Sequence, residues 1–185
     1  PGYPVDFVSP STIVNVITTQ TTTFTNAQLL ALSTTPITVV TAPASGFRAK
    51  PFAVSLQLNC TAGAYTNINT TFASLQLQTV SGNFVSSLLV NDSSLTTDAT
   101  QVTTLLNAAQ IRVVDLVVPS FRPTDAGSTS GDAGYLQNVL TTTKVDVNGT
   151  ALQLAINNNG SGALTGGNAA NTMTAIVYFT LEVIA

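Results

Sequence analysis

Few side chains in this 185-residue chain could carry out chemistry, and histidine is absent. Without histidine, Ser-His-Asp and Cys-His catalytic arrangements are impossible, and a common general base and metal ligand is missing. Two carboxylates can hydrolyse glycosides, but no carboxylate here lies in a recognisable motif. The candidates are Asp115, Asp125, Asp132, Asp146 and Glu182. The sequence therefore predicts that the protein is not an enzyme and has no catalytic residues.

Ligand-binding motifs are equally scarce. Asp125 and Asp132 lie in one glycine-rich loop and could help to bind Ca²⁺, which prefers oxygen ligands. Their spacing does not match an EF-hand, and aspartates in loops are usually turn formers. Gly166-Gly167-Asn168 does not read as a phosphate-binding loop, because no predicted helix and no lysine follow it. We therefore predict no bound metal and no cofactor.

The composition suggests a protein that is packed against others. Charged residues make up 7% of the chain and the net charge is −3, whereas about 25% of an average soluble protein is charged. A neutral, threonine-rich surface is unfavourable for a free monomer, because charge keeps monomers apart. The five basic residues are scattered, which argues against nucleic acid, and no apolar run reaches the roughly 18 residues of a membrane helix. We expect an assembly subunit that binds neither nucleic acid nor membrane.

The longest regular pattern is a strand over residues 172–184. Its apolar and polar residues alternate with a period of two, so one face is entirely apolar. The apolar face consists of Met173, Ala175, Val177, Phe179, Leu181 and Val183. The run is much longer than the usual strand of about 5–6 residues, and we place it centrally in a sheet that closes one side of a core.

Shorter patterns surround this strand. A helix is predicted over residues 26–32 with Asn26 as its N-cap, and a second short helix over 101–110. Pro51 implies an edge position or a bulge in its strand, and Asn148-Gly149 predicts a two-residue hairpin turn. The other predicted strands cover residues 37–41, 47–60, 72–80, 84–90, 111–118, 144–147 and 150–156. Together they predict an all-β fold, a two-sheet antiparallel β-sandwich, with a jelly roll as the favoured version.

The same alternation predicts which side chains are buried. The single cysteine, Cys60, excludes a disulfide within the chain and falls on the apolar face of its strand together with Phe52, Val54, Leu56 and Leu58. In the strand over 72–80, Leu75 and Leu77 are predicted to point inward and Ser74, Gln76 and Gln78 outward. The strand over 111–118 is almost continuously apolar, so we expect it to be covered on both faces or to lie at an interface.

Residues 1–23 are predicted to form an extended arm in front of a single β-sandwich domain over residues 24–185. Pro1, Pro4 and Pro10 forbid regular helix there. The segment could be the first strand of the domain's own sheet, chiefly over 12–19, or an arm on a neighbouring subunit, chiefly over 1–11, with Thr21–Thr23 as a joint. The candidate inter-subunit contacts are Tyr3, Val5, Phe7, Val8 and Ile13.

Two stretches, ALSTTPITVVTAPASGFRAKPFAVSLQLNC over 31–60 and ALQLAINNNGSGALTGGNAANTMTAIVYFTLEVI over 151–184, cover about a third of the chain. They resemble the first half and the last two strands of small virion proteins of tailed bacteriophages. This resemblance implies a β-sandwich subunit that decorates or cements the capsid, made in the host cytoplasm and located on the capsid surface. Its implied partners are the major capsid protein and copies of itself, in a homotrimer.

Two alternatives stay open. The first is a tail, fibre or host-recognition module of the same virion, although the chain has neither long repeats nor a heptad stalk. The second is a non-viral adhesin or carbohydrate-binding module.

Overall fold

The structure, a computed structural model, describes residues 16–69, 73–80, 84–90, 105–106, 109–117, 149–158 and 160–183. In chain order its elements are β1 (Ile17–Thr25), α1 (Asn26–Ala31), β2 (Ile37–Val40), β3 (Phe47–Asn59), β4 (Tyr65–Thr66), β5 (Ser74–Thr79), β6 (Phe84–Val90), β7 (Ile111–Val117), β8 (Leu152–Asn157), β9 (Thr165–Gly166) and β10 (Thr172–Val183).

The strands form two four-stranded sheets and one small ribbon. The first, here called the long sheet, has the order β1-β10-β3-β7, and the second, the short sheet, has the order β2-β8-β5-β6. Strands β4 and β9 form the ribbon, and all paired strands run antiparallel. The predicted all-β class is confirmed.

Strand β10 occupies the central position predicted for it, between β1 and β3. Side chains from Met173 to Phe179 alternate between buried and half-buried, as expected for a sheet with one face on a core. The apolar face is not buried to its end, however. Leu181 is 47% exposed and Val183 is 74% exposed, so the part of this face that is buried stops at Phe179.

A bulge in β3 corrects the predicted orientation of its side chains. Tyr178 pairs with Ala53 and Phe179 with Pro51, so Phe52 has no opposing residue. One extra residue reverses the alternation: Ala49 is buried before the bulge, and Val54, Leu56 and Leu58 are buried after it. Phe52 was predicted on their face but lies exposed. The bulge inferred from Pro51 and the burial of Cys60 are confirmed.

One hydrophobic cluster combines residues of both four-stranded sheets with residues of α1 and the turn after it. Leu75 and Leu77 of β5 are buried in it as predicted, whereas Gln78, predicted to point outward, is also buried. The Gln78 side chain is not left unsatisfied, because its Oε1 accepts a hydrogen bond from Nε2 of Gln76 at 3.2 Å. Of the predicted helix over 101–110, Leu105 and Leu106 are helical and buried in the same cluster, whereas residues 109–110 form a bend instead of helix.

The N-terminus of α1 differs by one residue from the prediction. Thr25, rather than Asn26, is the N-cap: its side chain accepts from the Gln28 amide, and Gln28 Oε1 accepts from the Thr25 amide at 2.9 Å. This reciprocal pair satisfies two amide groups that the helix leaves unpaired. Asn26 is thereby the first helical residue, and its side chain is available to another partner.

The first described strand, β1, corrects the predicted extent of the N-terminal arm. Ile17–Thr25 forms nine antiparallel pairs with β10, so residues 17–23 belong to the domain's own sheet rather than to an arm or a joint. Residues 1–15 lie outside the described residues, as do 91–104, 118–148 and the predicted strand over 144–147. The predicted turn at Asn148-Gly149 is described only at Gly149, whose φ of 59° suits glycine.

Candidate interaction surface

The described carboxylates do not form a catalytic pair. Asp115 pairs with Ser55 and Glu182 pairs with Arg48, which puts them about 20 Å apart along β3 at roughly 3.3 Å per residue. The described residues contain no cluster of acidic or cysteine side chains that could hold a metal ion, and no helix among them is long and apolar enough to cross a membrane. Asp125, Asp132 and Asp146 lie outside the described residues.

The most distinctive surface is the outer face of the long sheet, the side turned away from the hydrophobic cluster. The register aligns two threonine rows on it, one from β1 and one from β10. The row on β1 is exposed and the row on β10 is half-buried. The two rows consist of Thr19, Thr21, Thr23 and Thr25 on β1 and of Thr172, Thr174 and Thr180 on β10.

Local sequence explains why threonine forms these rows. The β-branched side chain suits a pleated strand, and alternation in both strands delivers threonine to the same side. The hydroxyls of Thr23 and Thr174 lie 3.2 Å apart across the two strands. Gln57 and Asn59 continue the face on β3 as exposed, uncharged side chains. The result is a polar surface without charges along β1 and the adjacent part of β10, with Ile17 and Ile176 between the threonines.

Apolar groups interrupt this polar face. Phe52, displaced by the bulge, packs beside Tyr178 with ring centroids 6.5 Å apart and planes inclined at 45°. On β7, Ile111 is 67% exposed and Val113 is 62% exposed. The strand was expected to be covered on both faces or to lie at an interface. Within the described residues no segment covers the outer face of β7. Of the two alternatives, a position at an interface therefore stays a prediction.

Charge is concentrated at one end of the long sheet. Glu182 Oε1 accepts from Lys50 Nζ at 2.6 Å, and Glu182 Oε2 accepts from Arg48 Nε at 2.7 Å and also contacts Arg48 Nη2. The hydrogen bond from Lys50, followed by that from Arg48, lowers the pKa of the Glu182 carboxyl. The cluster is partly exposed, so its contribution to stability is small. It leaves one end of the sheet charged and the outer face beside β1 uncharged.

The opposite end of the domain is fixed by asparagine and tyrosine. Asn158 is buried: its Oδ1 accepts from the Asn69 amide at 2.7 Å, and its Nδ2 donates to the carbonyls of Asn67 at 2.8 Å and Gly162 at 2.9 Å. The Tyr65 hydroxyl donates to Asn26 Oδ1 at 2.7 Å, and burial raises the pKa of Tyr65. These bonds hold loops and satisfy buried polar groups, which is a structural role.

The predicted contact residues and the observed surface do not overlap. Tyr3, Val5, Phe7, Val8 and Ile13 all lie outside the described residues, so their role in contacts stays a prediction. The threonine rows were not predicted as a surface. The sequence does have threonine at every second position of residues 19–25, which could have indicated a threonine row on one face of a strand. The second row lies beside it only because β1 pairs with β10.

Comparison of the chain with protein-family models, with curated proteins and with solved structures finds no match.

Proposed function

We propose that this protein is a structural virion protein that decorates and stabilises a bacteriophage capsid. The observation that carries the proposal is the uncharged part of the outer face of the long sheet, formed by the threonine rows of β1 and β10, together with exposed Ile111 and Val113 on β7. The described charges of this face are Asp115 and the Glu182 cluster. The uncharged part of the face loses little solvation when it is covered, because no charge there has to be stripped of water. It suits a subunit that is permanently packed, and the sequence resemblance gives the kind of assembly.

In this proposal the two four-stranded sheets pack face to face as a β-sandwich with jelly-roll connections. The support is the single hydrophobic cluster to which both sheets contribute, including Val39 from β2, Leu154 from β8, and Leu56 and Val177 from the long sheet. Two sheets that share one core in this way are the usual architecture for antiparallel strands of this number.

The partners in the proposal are the major capsid protein and copies of this chain in a homotrimer. Closed cyclic symmetry is the norm for such subunits, and the exposed apolar side chains of β7 would supply a hydrophobic contact of the kind found in interface cores. The segment over residues 1–11, which carries Tyr3, Val5, Phe7 and Val8, would lie on a neighbouring subunit or on the shell.

The decisive experiment locates the protein on particles. Particles purified from cells that produce the protein are labelled with gold-conjugated antibodies against it and imaged. Labels distributed over the head support the proposal, whereas labels confined to the tail, or particles without the protein, refute it. Light scattering of the isolated protein tests the trimer separately, and a monomer at high concentration contradicts that part.

One observation favours a second candidate, a tail, fibre or host-recognition module. The exposed Phe52 and half-buried Tyr178 lie on a sheet face with Thr19 paired opposite Tyr178, and aromatic rings beside hydroxyl groups can bind sugars. The 45° inclination of the rings, however, provides no single flat platform for a sugar. Tail-only labelling together with glycan binding that is lost in Phe52→Ala would support this candidate over the first.

A further inference from the structure

The outer edge of β1 is unusual among the edges of the two four-stranded sheets. Edge strands expose backbone amide and carbonyl groups that can pair with another chain, and proteins normally protect them with charges, proline, bulges or short length. Each of the other three described edge strands has such protection. Strand β7 contains Arg112 and Asp115, β2 has four residues, and the pairing of β6 is broken by two register shifts.

Strand β1 has none of these protections. Its sequence, ITTQTTTFT, contains no charge and no proline, and its nine pairs with β10 run without a bulge. In an antiparallel pair about half of the residues of a strand direct their amide and carbonyl groups toward the partner. The amide and carbonyl groups of the other residues of β1 point away from β10, and no described strand pairs with these groups. This edge is therefore a long, regular template for another strand.

The side chains of β1 specify which strand fits. If two copies of β1 pair antiparallel about a two-fold axis at the central residue, Thr21 faces Thr21 and Thr19 faces Thr23 on the outer face. Threonine pairs across strands are favourable, and the chain already forms one between Thr23 and Thr174, with the hydroxyls 3.2 Å apart. No like charges meet, so the edge is complementary to itself, as an interface with two-fold symmetry requires.

We propose that β1 is a self-association edge that pairs with β1 of a second copy of this chain and joins two long sheets into one continuous sheet. A nine-residue strand is about 30 Å long at roughly 3.3 Å per residue. With a sheet about 10 Å thick, the contact buries about 600 Å² in total, below the roughly 1,200–2,000 Å² of a stable interface. The association is therefore weak and depends on protein concentration. It does not require the virion role.

The test measures whether the mass of full-length protein rises with concentration above that of its basic unit, a monomer or the proposed trimer, by sedimentation equilibrium at 0.1 M salt and up to about 1 mM protein, because a contact of this size is weak. The variants are Thr21→Lys and Thr21→Asp, because two like charges would face each other at the axis. Gln57→Lys is the matched control: it adds the same charge to the same face, on β3, two strands away from the edge.

Wild-type protein and Gln57→Lys are expected to associate, and each Thr21 variant alone to associate at least about tenfold more weakly. An equimolar mixture of Thr21→Lys and Thr21→Asp should associate again, because opposite charges then meet at the axis. The proposal is overturned if wild-type protein does not associate beyond its basic unit at any concentration, as expected if the chain's own N-terminal residues cover the edge. It is also overturned if the Thr21 variants behave like the control, or if mixing does not restore association.

Discussion

Replacing Asn158 with alanine tests the clearest buried polar contact in this domain. The side chain makes three hydrogen bonds, one from the Asn69 amide and two to the carbonyls of Asn67 and Gly162. The bonds with Asn67 and Asn69 join the chain after β8 to the loop after β4, and the bond with Gly162 closes the loop after β8 itself. Alanine removes these bonds from the Asn69 amide and the Asn67 carbonyl at a site where Asn158 is 4% exposed, whereas the Gly162 carbonyl keeps a hydrogen bond from Ser33 Oγ at 2.8 Å.

The expected cost follows from the number of bonds. A hydrogen bond contributes about 0.5–1.5 kcal/mol net, and a buried group left unsatisfied costs about 1–3 kcal/mol. Three lost bonds therefore give a loss of about 3 kcal/mol in the free energy of unfolding. At about 2–4 °C per kcal/mol for a chain of this size, the melting temperature should fall by about 6–12 °C. Asn158→Asp should be at least as harmful, because its carboxylate would face two carbonyl oxygens.

The assay is urea unfolding followed by circular dichroism, with the slope m compared between variants to confirm that the same transition is measured. Asn168→Ala serves as the control, since Asn168 is exposed and accepts one hydrogen bond, from the Ala170 amide at 3.0 Å. Its expected loss is below about 1 kcal/mol. A loss for Asn158→Ala no larger than for this control would show that the loops can open without cost to the fold, and the reasoning would be wrong.

Four further predictions concern separate parts of the chain. Gly167→Ala should cost about 2–4 kcal/mol in urea unfolding, because φ is +67° and a Cβ would lie 2.5 Å from Asn26 Oδ1 and 2.6 Å from Tyr65 Cε1; Gly160→Ala, at φ +80° with nothing within 4 Å, should cost about 1 kcal/mol. Folding lowers the pKa of the Glu182 carboxyl, so its ion cluster should stabilise the protein above the carboxyl's unfolded pKa, and this stabilisation should be lost as the pH falls through the folded pKa. The small difference in melting temperature between wild type and Glu182→Gln should therefore vanish in acid. A difference that persists in acid contradicts this prediction. The buried Cys60 thiol should react with a thiol reagent only at the rate of unfolding, and rapid reaction in native protein would contradict its burial. Deleting residues 1–11 should leave the melting temperature nearly unchanged but weaken retention on particles; a much lower melting temperature with normal retention would assign the segment to its own domain.

Local patterns in the sequence were enough to predict most of the strands. Period-two alternation predicted β10, its central position and the burial of Met173 and Val177, because a strand's two faces follow from its own residues. Pro51 predicted an edge position or a bulge, because proline cannot donate a ladder hydrogen bond, and the structure has the bulge. The single cysteine excluded a disulfide within the chain, and the absence of histidine excluded Ser-His-Asp and Cys-His catalytic arrangements, from the sequence alone.

Long-range pairing decided what local patterns could not. The bulge has a definite position only against β10, and that position turns Phe52 outward and Val54 inward. Thr25 is the N-cap because it forms a reciprocal pair with Gln28, and the Asn26 side chain instead accepts a hydrogen bond from the Tyr65 hydroxyl. The threonines of β1 and β10 are about 150 residues apart in the chain, and they form one surface only because the sheet order places β1 beside β10. Strand β1 is an edge because no described strand pairs with its other side. A strand's own residues fix its two faces, but which neighbour it pairs with, and therefore whether it becomes an edge, depends on residues far away in the chain.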